Sequence, residues 1–431
     1  MALSWRAAVL VLLGLVPVLQ WPSLTTVRWW LLGCLVLIAL DLLLAPSPQK
    51  LSWSRSADRQ VRLGEPTTST LTVSNPTRRR MRGQVRDAWV PSAGAVGERH
   101  RLLLPGGERR RLTTHLVPTR RGDRRTDQVT VRVWGPLGLA ARQRSVRVPG
   151  TVRALPPFHS RRHLPSRLAQ LRQLDGRSAV RTRGQGTEFD SLRDYVEGDD
   201  VRSIDWRATA RRQHVVVRTW QPERDRRVIL VLDTSRTSAA RIDDQPRLDA
   251  AMDAALLLAA LASRAGDRVD LIAGDRRVRG RVTPSTDRRA LLHQLVTAMA
   301  PIEPVLVEAD WTMLAGKVTG LTRRRALVVL LTALEPAAIE EGLLPVLPAL
   351  TAHHRVVVAS VADPELGRLR ADLGDLESVY DAAAAERTIS LRQRTADALE
   401  RMGVHVIEAD PEQLPPQLAD HYLALKAQGL L

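Results

Sequence analysis

Sulfur and aromatic rings are scarce in this sequence. Its one cysteine, Cys34, lies in an apolar stretch, which argues against an intrachain disulfide framework or a cysteine-based zinc site and agrees with a reducing compartment. Aromatic residues make up 3% of the 431, with two Phe and three Tyr, so the stacking platforms that hold single-stranded nucleic acid are few. Acid is outnumbered too: 46 Asp and Glu face 64 Lys and Arg, a formal charge of +18. Such a field attracts any polyanion, whether nucleic acid, anionic lipid headgroups or an acidic protein surface. With so few rings, nucleic acid is the least favoured of the three. The short patterns of common catalysts are also missing: there is no Gly-x-Ser-x-Gly elbow, no Gly-x-x-x-x-Gly-Lys-Ser/Thr phosphate loop and no His-Glu-x-x-His zinc pair. Their absence argues against the usual hydrolase and nucleotidase classes and leaves a binding protein or an unfamiliar enzyme.

What is present first is a hydrophobic start. Residues 1–48 carry Arg6, Arg28 and Asp41 as their only charges, in two apolar runs, Ala7–Leu19 and Trp29–Leu44, separated by Trp21–Arg28 with its proline and interfacial tryptophan. The runs suit a transmembrane helical hairpin in a hydrocarbon core needing about 20 residues per span. A cleaved signal peptide has the same general form, but no small-x-small site precedes the second run, and one run would suffice for export. Asp41 is expected at the end of the second helix, where a carboxylate reaches water. Arg6 precedes the hairpin and Lys50, Arg55, Arg59 and Arg62 follow it, so the positive-inside rule places both termini in the cytoplasm and these cations beside anionic lipid.

Residues 51–150 hold short alternating runs, Ser69–Val73 and Gln128–Val133 among them, divided by Asn75-Pro76, Pro105-Gly106-Gly107 and Arg121-Gly122-Asp123. This pattern predicts a small all-β sandwich. Arg78–Arg80 and Arg109–Arg111 are expected at its turns as solvated loops. Pro149–Pro165 reads as a connector, with His159 and His163 as surface residues, since two histidines without a third ligand rarely bind metal.

The span 151–226 comprises this linker and the most distinctive segment of the chain, Gly184–Arg207. Phe189, Leu192, Tyr195 and Val196 stand at helical spacing, Gly198 ends the turn, and Ile204 with Trp206 suggests a second, buried anchor. Glu188, Asp190 or Asp205 would be the carboxylates of an enzyme, since a close pair can divide acid and base roles. The alternative is a clamp in which Asp190, Asp199, Asp200 and Asp205 pair with Arg193, Arg202 and their neighbours. The order Gly-x-Gly-x-Glu-Phe, Arg-x-Tyr-x-x-Gly-Asp-Asp, Arg-x-Ile-Asp-Trp, followed by a strand ending Asp-Thr-Ser, resembles the domain-of-unknown-function 58 family of membrane-anchored proteins. The resemblance is strongest over residues 180–240, and it implies association with a MoxR-type AAA+ ATPase.

Residues 227–431 alternate apolar runs, Arg227–Asp233, Val269–Ile272, Ala326–Leu331, Val356–Ala359 and Val404–Ile407, with helical stretches such as Leu248–Arg264, the pattern of a mostly parallel, Rossmann-type sheet. Asp233-Thr234-Ser235-Arg236-Thr237, at a strand end, resembles the Asp-x-Ser-x-Ser motif of von Willebrand factor A domains, which implies a Mg²⁺ held by Asp233, Ser235 and Thr237. Ala333 occupies the expected acid position, so the site is degenerate and its Mg²⁺ weak; Thr312 is a further candidate hydroxyl. Together these readings predict a multidomain scaffold or adaptor on the membrane, with an enzyme using the signature carboxylates, or a basic-surface binder of nucleic acid or lipid, as alternatives.

Overall fold

In the computed structural model, which describes residues 2–56, 59–181, 188–221, 226–243, 245–283 and 288–431, the chain divides into two units, Met1–Leu155 and Pro156–Leu431.

The first unit opens with β1 (Ala2–Leu3) and the helices α1 (Trp5–Leu12), α2 (Leu15–Gln20) and α3 (Leu24–Leu44). Ser23 caps α3, its Oγ accepting from Thr26 N at 3.2 Å, as a short hydroxyl does for the open amides of a first turn. The helix therefore starts at Leu24 and absorbs residues expected as a turn before Trp29. Its 21 residues, at about 1.5 Å each, reach roughly 30 Å. Among the described residues it is the one helix long and apolar enough to cross a membrane; the first run is shorter. Gly14, between α1 and α2, abuts the Trp30 indole, which a Cβ there would overlap. Leu19 is 79% and Leu43 73% exposed, a surface water does not favour.

Asp41 corrects the expectation made for it. It is 0% exposed, and its carboxylate accepts the amides of Leu137 (2.7 Å), Leu139 (2.7 Å) and Ala140 (2.9 Å). A charge carried by an apolar helix is tolerated where aligned backbone donors replace its hydration. Gly135 belongs to the same fit, because a Cβ there would collide with Asp41. The chain start docks beside it: Ser4 N donates to the Leu139 carbonyl at 2.9 Å, Ser4 Oγ to that of Gly138 at 2.6 Å, and β1 pairs with Ala140 and Ala141.

The sandwich follows from alternation. Its strands are β2 (Ser52–Arg55), β3 (Arg59–Arg62), β4 (Thr67–Ser74), β5 (Met81–Asp87), β6 (Ala95–Val96), β7 (Arg99–Leu104), β8 (Arg109–Leu116), β9 (Gly122–Trp134) and β10 (Ala140–Leu155). One sheet runs β1-β10-β9-β5-β7 with β3 beside β10, the other β2-β4-β8-β6. Inward residues such as Leu71, Val73, Val85, Leu112, Val129 and Val131 fill the space between them, each contributing about 1.5–3 kcal/mol over exposure. Three further expectations shift. Arg55 is no lipid-facing cation: it pairs with Asp87 at 2.6 Å, the side chains 4% and 0% exposed. Arg109–Arg111 open β8 rather than a turn. The connector starts late, because β10 continues to Leu155 by way of a register shift between Arg147 and Gly150 that accommodates Pro149.

In the second unit a 3-10 turn, His159–His163, leads into α4 (Leu164–Arg181). Ser160 fastens it, donating its amide (3.0 Å) and hydroxyl (2.9 Å) to buried Asp253. A small lobe follows: β11 (Glu188–Asp194), α5 (Trp206–Arg212) and β12 (Val216–Gln221). The main sheet begins with β13 (Arg227–Asp233), passes a tight hairpin, β14 (Arg241–Ile242) and β15 (Gln245–Pro246), and continues with α6 (Arg247–Arg264), β16 (Arg268–Gly274), β17 (Val278–Val282), α7 (Arg288–Met299) and α8 (Trp311–Thr319). Next come β18 (Leu327–Leu331), the short α9 (Pro336–Ala338), α10 (Leu347–Thr351), β19 (Arg355–Val361), α11 (Pro364–Ala371), α12 (Leu376–Arg401), β20 (His405–Ala409) and α13 (Leu414–Ala427). The sheet order is β17-β16-β13-β18-β19-β20, parallel except for β17. β18 is buried throughout, which is why it reads as an unbroken apolar run; α6 is buried over nearly its whole length, Asp249 and Asp253 interrupting its alanines and leucines. The chain moves outward from β13 to one side, then returns to β18 on the other, so β13 and β18 flank the point where strand order reverses. In open α/β sheets ligands gather at the carboxyl ends beside that point.

Candidate functional site

At the carboxyl end of β13 the chain turns through Thr234–Ser238, every short side chain finding a partner. Asp233 Oδ1 accepts Ser235 N (2.8 Å); Oδ2 accepts the hydroxyls of Thr237 (2.9 Å) and Thr332 (2.7 Å). Ser238 Oγ donates to the Asp233 carbonyl at 2.7 Å, and the Ser235 and Thr237 hydroxyls lie 3.1 Å apart. Asp233, Ser235 and Thr237 thus converge, all buried. Thr312 stands exposed in the first turn of α8; the hydroxyl that reaches Asp233 from just beyond β18 belongs to Thr332. Beside it, Ala333 is buried and supplies no oxygen from its side chain.

This donor set is poor in charge. The neighbouring acid, Asp275, is engaged by Arg279 (2.6 and 3.1 Å) and by Thr234 Oγ1 (2.8 Å). Burial alone would raise its carboxyl, but these hydrogen bonds and the Arg279 charge outweigh burial and hold it below the usual carboxylate range. Among the described residues no three His, Cys, Asp or Glu side chains cluster as metal ligands. A hard divalent cation draws its affinity from negative oxygens, and Asp233 is the one carboxylate among the three converging side chains, its oxygens accepting three hydrogen bonds.

Around this closed cluster lies an exposed rim. Val305 N donates to the Thr234 carbonyl (2.8 Å) and Arg236 N to that of Val307 (2.9 Å), laying the 303–309 loop along the turn. Arg236 pairs with Glu308, both about half exposed, and Leu306, in the same loop as Glu308, is 81% exposed. On the inner side Arg247 donates to the Thr237 carbonyl (3.0 Å), and Arg392 reaches Glu335 (2.9 Å) and Glu408 (3.7 Å). Burial lowers the Arg247 pKa, the charge of Arg392 adding to it, and burial raises that of Glu408. Thr332, Leu306 and the Arg247–Arg392 pair escaped the sequence reading. Only Thr332 left a signal there, as the hydroxyl residue directly after an apolar strand.

The signature segment forms the small lobe. Residues 184–187 lie outside the described residues, as do the side chains of Glu188, Phe189 and Asp190, whose backbone begins β11. Where a helical stripe was expected from Phe189, Leu192, Tyr195 and Val196, the chain through Asp194 is a strand, because β11 pairs antiparallel with β12, whose β-branched Val216 and Val217 favour extended pairing. Gly198 takes φ +105°, reversing the chain in the turn that follows. Asp199 accepts from Arg193 (2.5 Å) and from Val196 N (3.0 Å), and these bonds, Arg193 first, hold its pKa low. Asp200 caps Arg202 N at 3.0 Å. Asp205 caps α5 through Arg207 and Ala208 N (both 3.0 Å) and pairs with Arg218 at 2.8 Å; the Ala208 amide, then Arg218, lower its pKa. Ile204 bridges to Val217. Trp206 is not a buried anchor: it is 68% exposed, and Tyr195 is 37% exposed.

A family model described as "Protein of unknown function DUF58" matches residues 191–408. An uncharacterized protein of Mycobacterium bovis is 31% identical over 199 residues, covering 45% of this chain and 60% of that protein; one from Mycobacterium tuberculosis matches with the same figures. The chain thus spans 60% of the length of these curated relatives. Among solved structures, an aerotolerance-related membrane protein from Bacteroides fragilis is similar at 14% identity and a TM-score of 0.28, covering 46% of this chain and 98% of that one. The conserved hypothetical protein BatB from Bacteroides thetaiotaomicron is similar at 16% identity and a TM-score of 0.26, covering 46% and 99%. At such scores the fold reading rests on strand order and register.

Proposed function

The chain belongs to the family described as Protein of unknown function DUF58, and from that premise we propose a membrane-anchored cytoplasmic scaffold. In this reading α1–α2 and α3 form a two-pass hairpin with both termini in the cytoplasm. The second unit is a von Willebrand A-like, Rossmann-type domain whose rim at Leu306, Arg236 and Glu308 meets a protein partner. The partner implied by the family resemblance is a MoxR-type AAA+ ATPase, in assembly or maturation of membrane or envelope proteins. One observation carries the anchoring: Ser4, at the chain start, and Asp41, at the far end of α3, dock on the same turn, residues 135–141. A chain that leaves one turn through an apolar segment and returns to it through a second enters and exits a bilayer on the same side.

The von Willebrand A-like reading is supported by the strand order and by Asp233-Thr234-Ser235-Arg236-Thr237 at the reversal point. The Asp233 carboxylate, satisfied by protein donors, supports a contact surface that does without resident metal. The signature acids support a non-enzymatic role, because Asp199 and Asp205 hold arginines and backbone amides and stay ionised. The test is retention of the ATPase by the full chain from solubilised membranes, compared with Leu306→Asp. Equal retention by the variant would sink the rim assignment, and absence of the ATPase from both would sink the partnership.

A further inference from the structure

The outer face of the larger sandwich sheet carries charge of almost one sign. Strand register sets its rows: Gln143 stands opposite Arg132, Arg132 opposite Gln84, and Gln84 opposite Arg101. Two residues along, Ser145, Thr130, Arg86 and Arg99 make the next row. Since successive strand residues alternate faces, these side chains lie opposite the core residues Val85, Leu102, Val129 and Val131. Arg86, Arg99, Arg101 and Arg132 are exposed. Among the described residues the carboxylate paired with this set is Glu98, which meets Arg86 at 2.9 Å. Gln84, Arg86, Arg99, Thr130, Arg132 and Gln143 line a hollow of about 180 Å³.

Like charges on neighbouring strands cost stability, and the exposed contacts of Arg86 with Glu98 (2.9 Å) and of Arg132 Nε with Gln143 Oε1 (2.7 Å) return little of it. Guanidinium forks beside amide and hydroxyl groups match the oxygens of a phosphodiester. The placement indicates whose phosphodiester. Arg142, on β10, donates to the carbonyls of Leu42 (3.0 Å) and Leu43 (3.2 Å) at the end of α3, and Asp41 accepts from Ala140 N. Trp134, opposite Ala141, thus marks the helix-side edge of the face, and Arg82, opposite exposed Leu103, lies at the matching end of β5. At about 3.4 Å per residue, Arg132 lies roughly 7 Å and Thr130 roughly 14 Å along β9 from Trp134, one to two Debye lengths at physiological salt. A tryptophan at the edge with arginines behind it is the order in which a bilayer presents its boundary and its phosphates.

We infer that this face binds the headgroups of anionic phospholipids in the membrane that α3 enters, seating the sandwich on the bilayer; the inference rests on the membrane reading above. The test uses the full chain reconstituted in phosphatidylcholine vesicles with spin-labelled phosphatidylglycerol or phosphatidylcholine, as wild type and as the combined variant Arg86→Gln, Arg99→Gln, Arg132→Gln. Wild type should prefer the anionic lipid by roughly tenfold, the preference falling towards unity in the variant and in high salt, with sandwich unfolding unchanged. A wild type without preference, or a variant that keeps it, overturns the inference while the chain stays inserted. Release of both proteins by alkaline carbonate overturns the membrane reading itself, and this inference with it. Displacement of the labelled lipid by glycerol phosphate would assign the face to a soluble phosphate ligand instead. An oligonucleotide captured by wild type alone, without lipid preference, would assign it to nucleic acid.

Discussion

Replacing Asp41 with Ala removes the acceptor of three amides, those of Leu137, Leu139 and Ala140. A buried donor left unpaired costs about 1–3 kcal/mol. The Leu137 bond is only partly buried and the other two are buried, so the expected loss is roughly 3–6 kcal/mol for the first unit. Asp41→Asn keeps one acceptor oxygen and should lose about half of that, because the Oδ2 position serves two amides and Oδ1 one. Gly135→Ala should mimic the loss with the carboxylate intact, since its Cβ would occupy the same space. Thermal unfolding of the detergent-solubilised chain, with amide exchange at residues 137, 139 and 140, reads the effect. Unchanged unfolding and unchanged protection in Asp41→Ala would refute the docking of α3 on this turn, and with it the geometric basis of the hairpin.

Three further outcomes are expected. Trp206→Ala should change stability by less than about 0.5 kcal/mol, as for other exposed positions, because the side chain is 68% exposed; a loss of several kcal/mol on denaturant unfolding would restore the buried anchor. Asp87→Ala should cost about 3–5 kcal/mol by leaving the Arg55 charge buried without its counter-charge, whereas Arg55→Met with Asp87→Leu should recover part of it, because Trp89 Nε1 and Thr114 Oγ1 also lose Asp87 as acceptor; a double variant as unstable as the single one would contradict this. His421, stacked on His405 at 4.0 Å, is pushed down to about 4, by burial first and then by the charges of His405 and Arg355, from a usual 6.5. The unfolded chain therefore binds the extra proton between these values, so this contribution to stability is full above about 6.5 and is lost as pH falls towards about 4. His421→Gln should flatten the melting temperature over that window, and a wild-type curve already flat there would refute the assignment.

Local pattern made the central strands legible. Arg227–Asp233, Ala326–Leu331 and Val356–Ala359 are apolar runs that only a sheet covered on both faces accommodates, and they are β13, β18 and β19. Asp233, Ser235 and Thr237 stood out by resemblance to a known motif, since an Asp or Ser after a strand is also an ordinary helix N-cap; the fold buries the three together. What escaped depends on partners distant in sequence. Nothing near Asp41 announces Leu139, nothing near Arg55 announces Asp87, and β11 reads as a helix until Val216 and Val217 are laid beside it. Pro149 marks a break locally, yet the register shift lets β10 pass through it. The residue that reaches Asp233 from beyond β18 is the hydroxyl of Thr332, not an acid at position 333, where the chain has Ala.

If the second unit of the proposed scaffold meets its partner without metal, the purified full chain and a purified MoxR-type ATPase from the same cell should bind one another in nucleotide-free buffer. That binding should be saturable, unchanged by a chelator and weakened at least tenfold by Leu306→Asp, roughly 1.4 kcal/mol or more. Binding that appears only with added Mg²⁺, or its absence under both conditions, would contradict this reading.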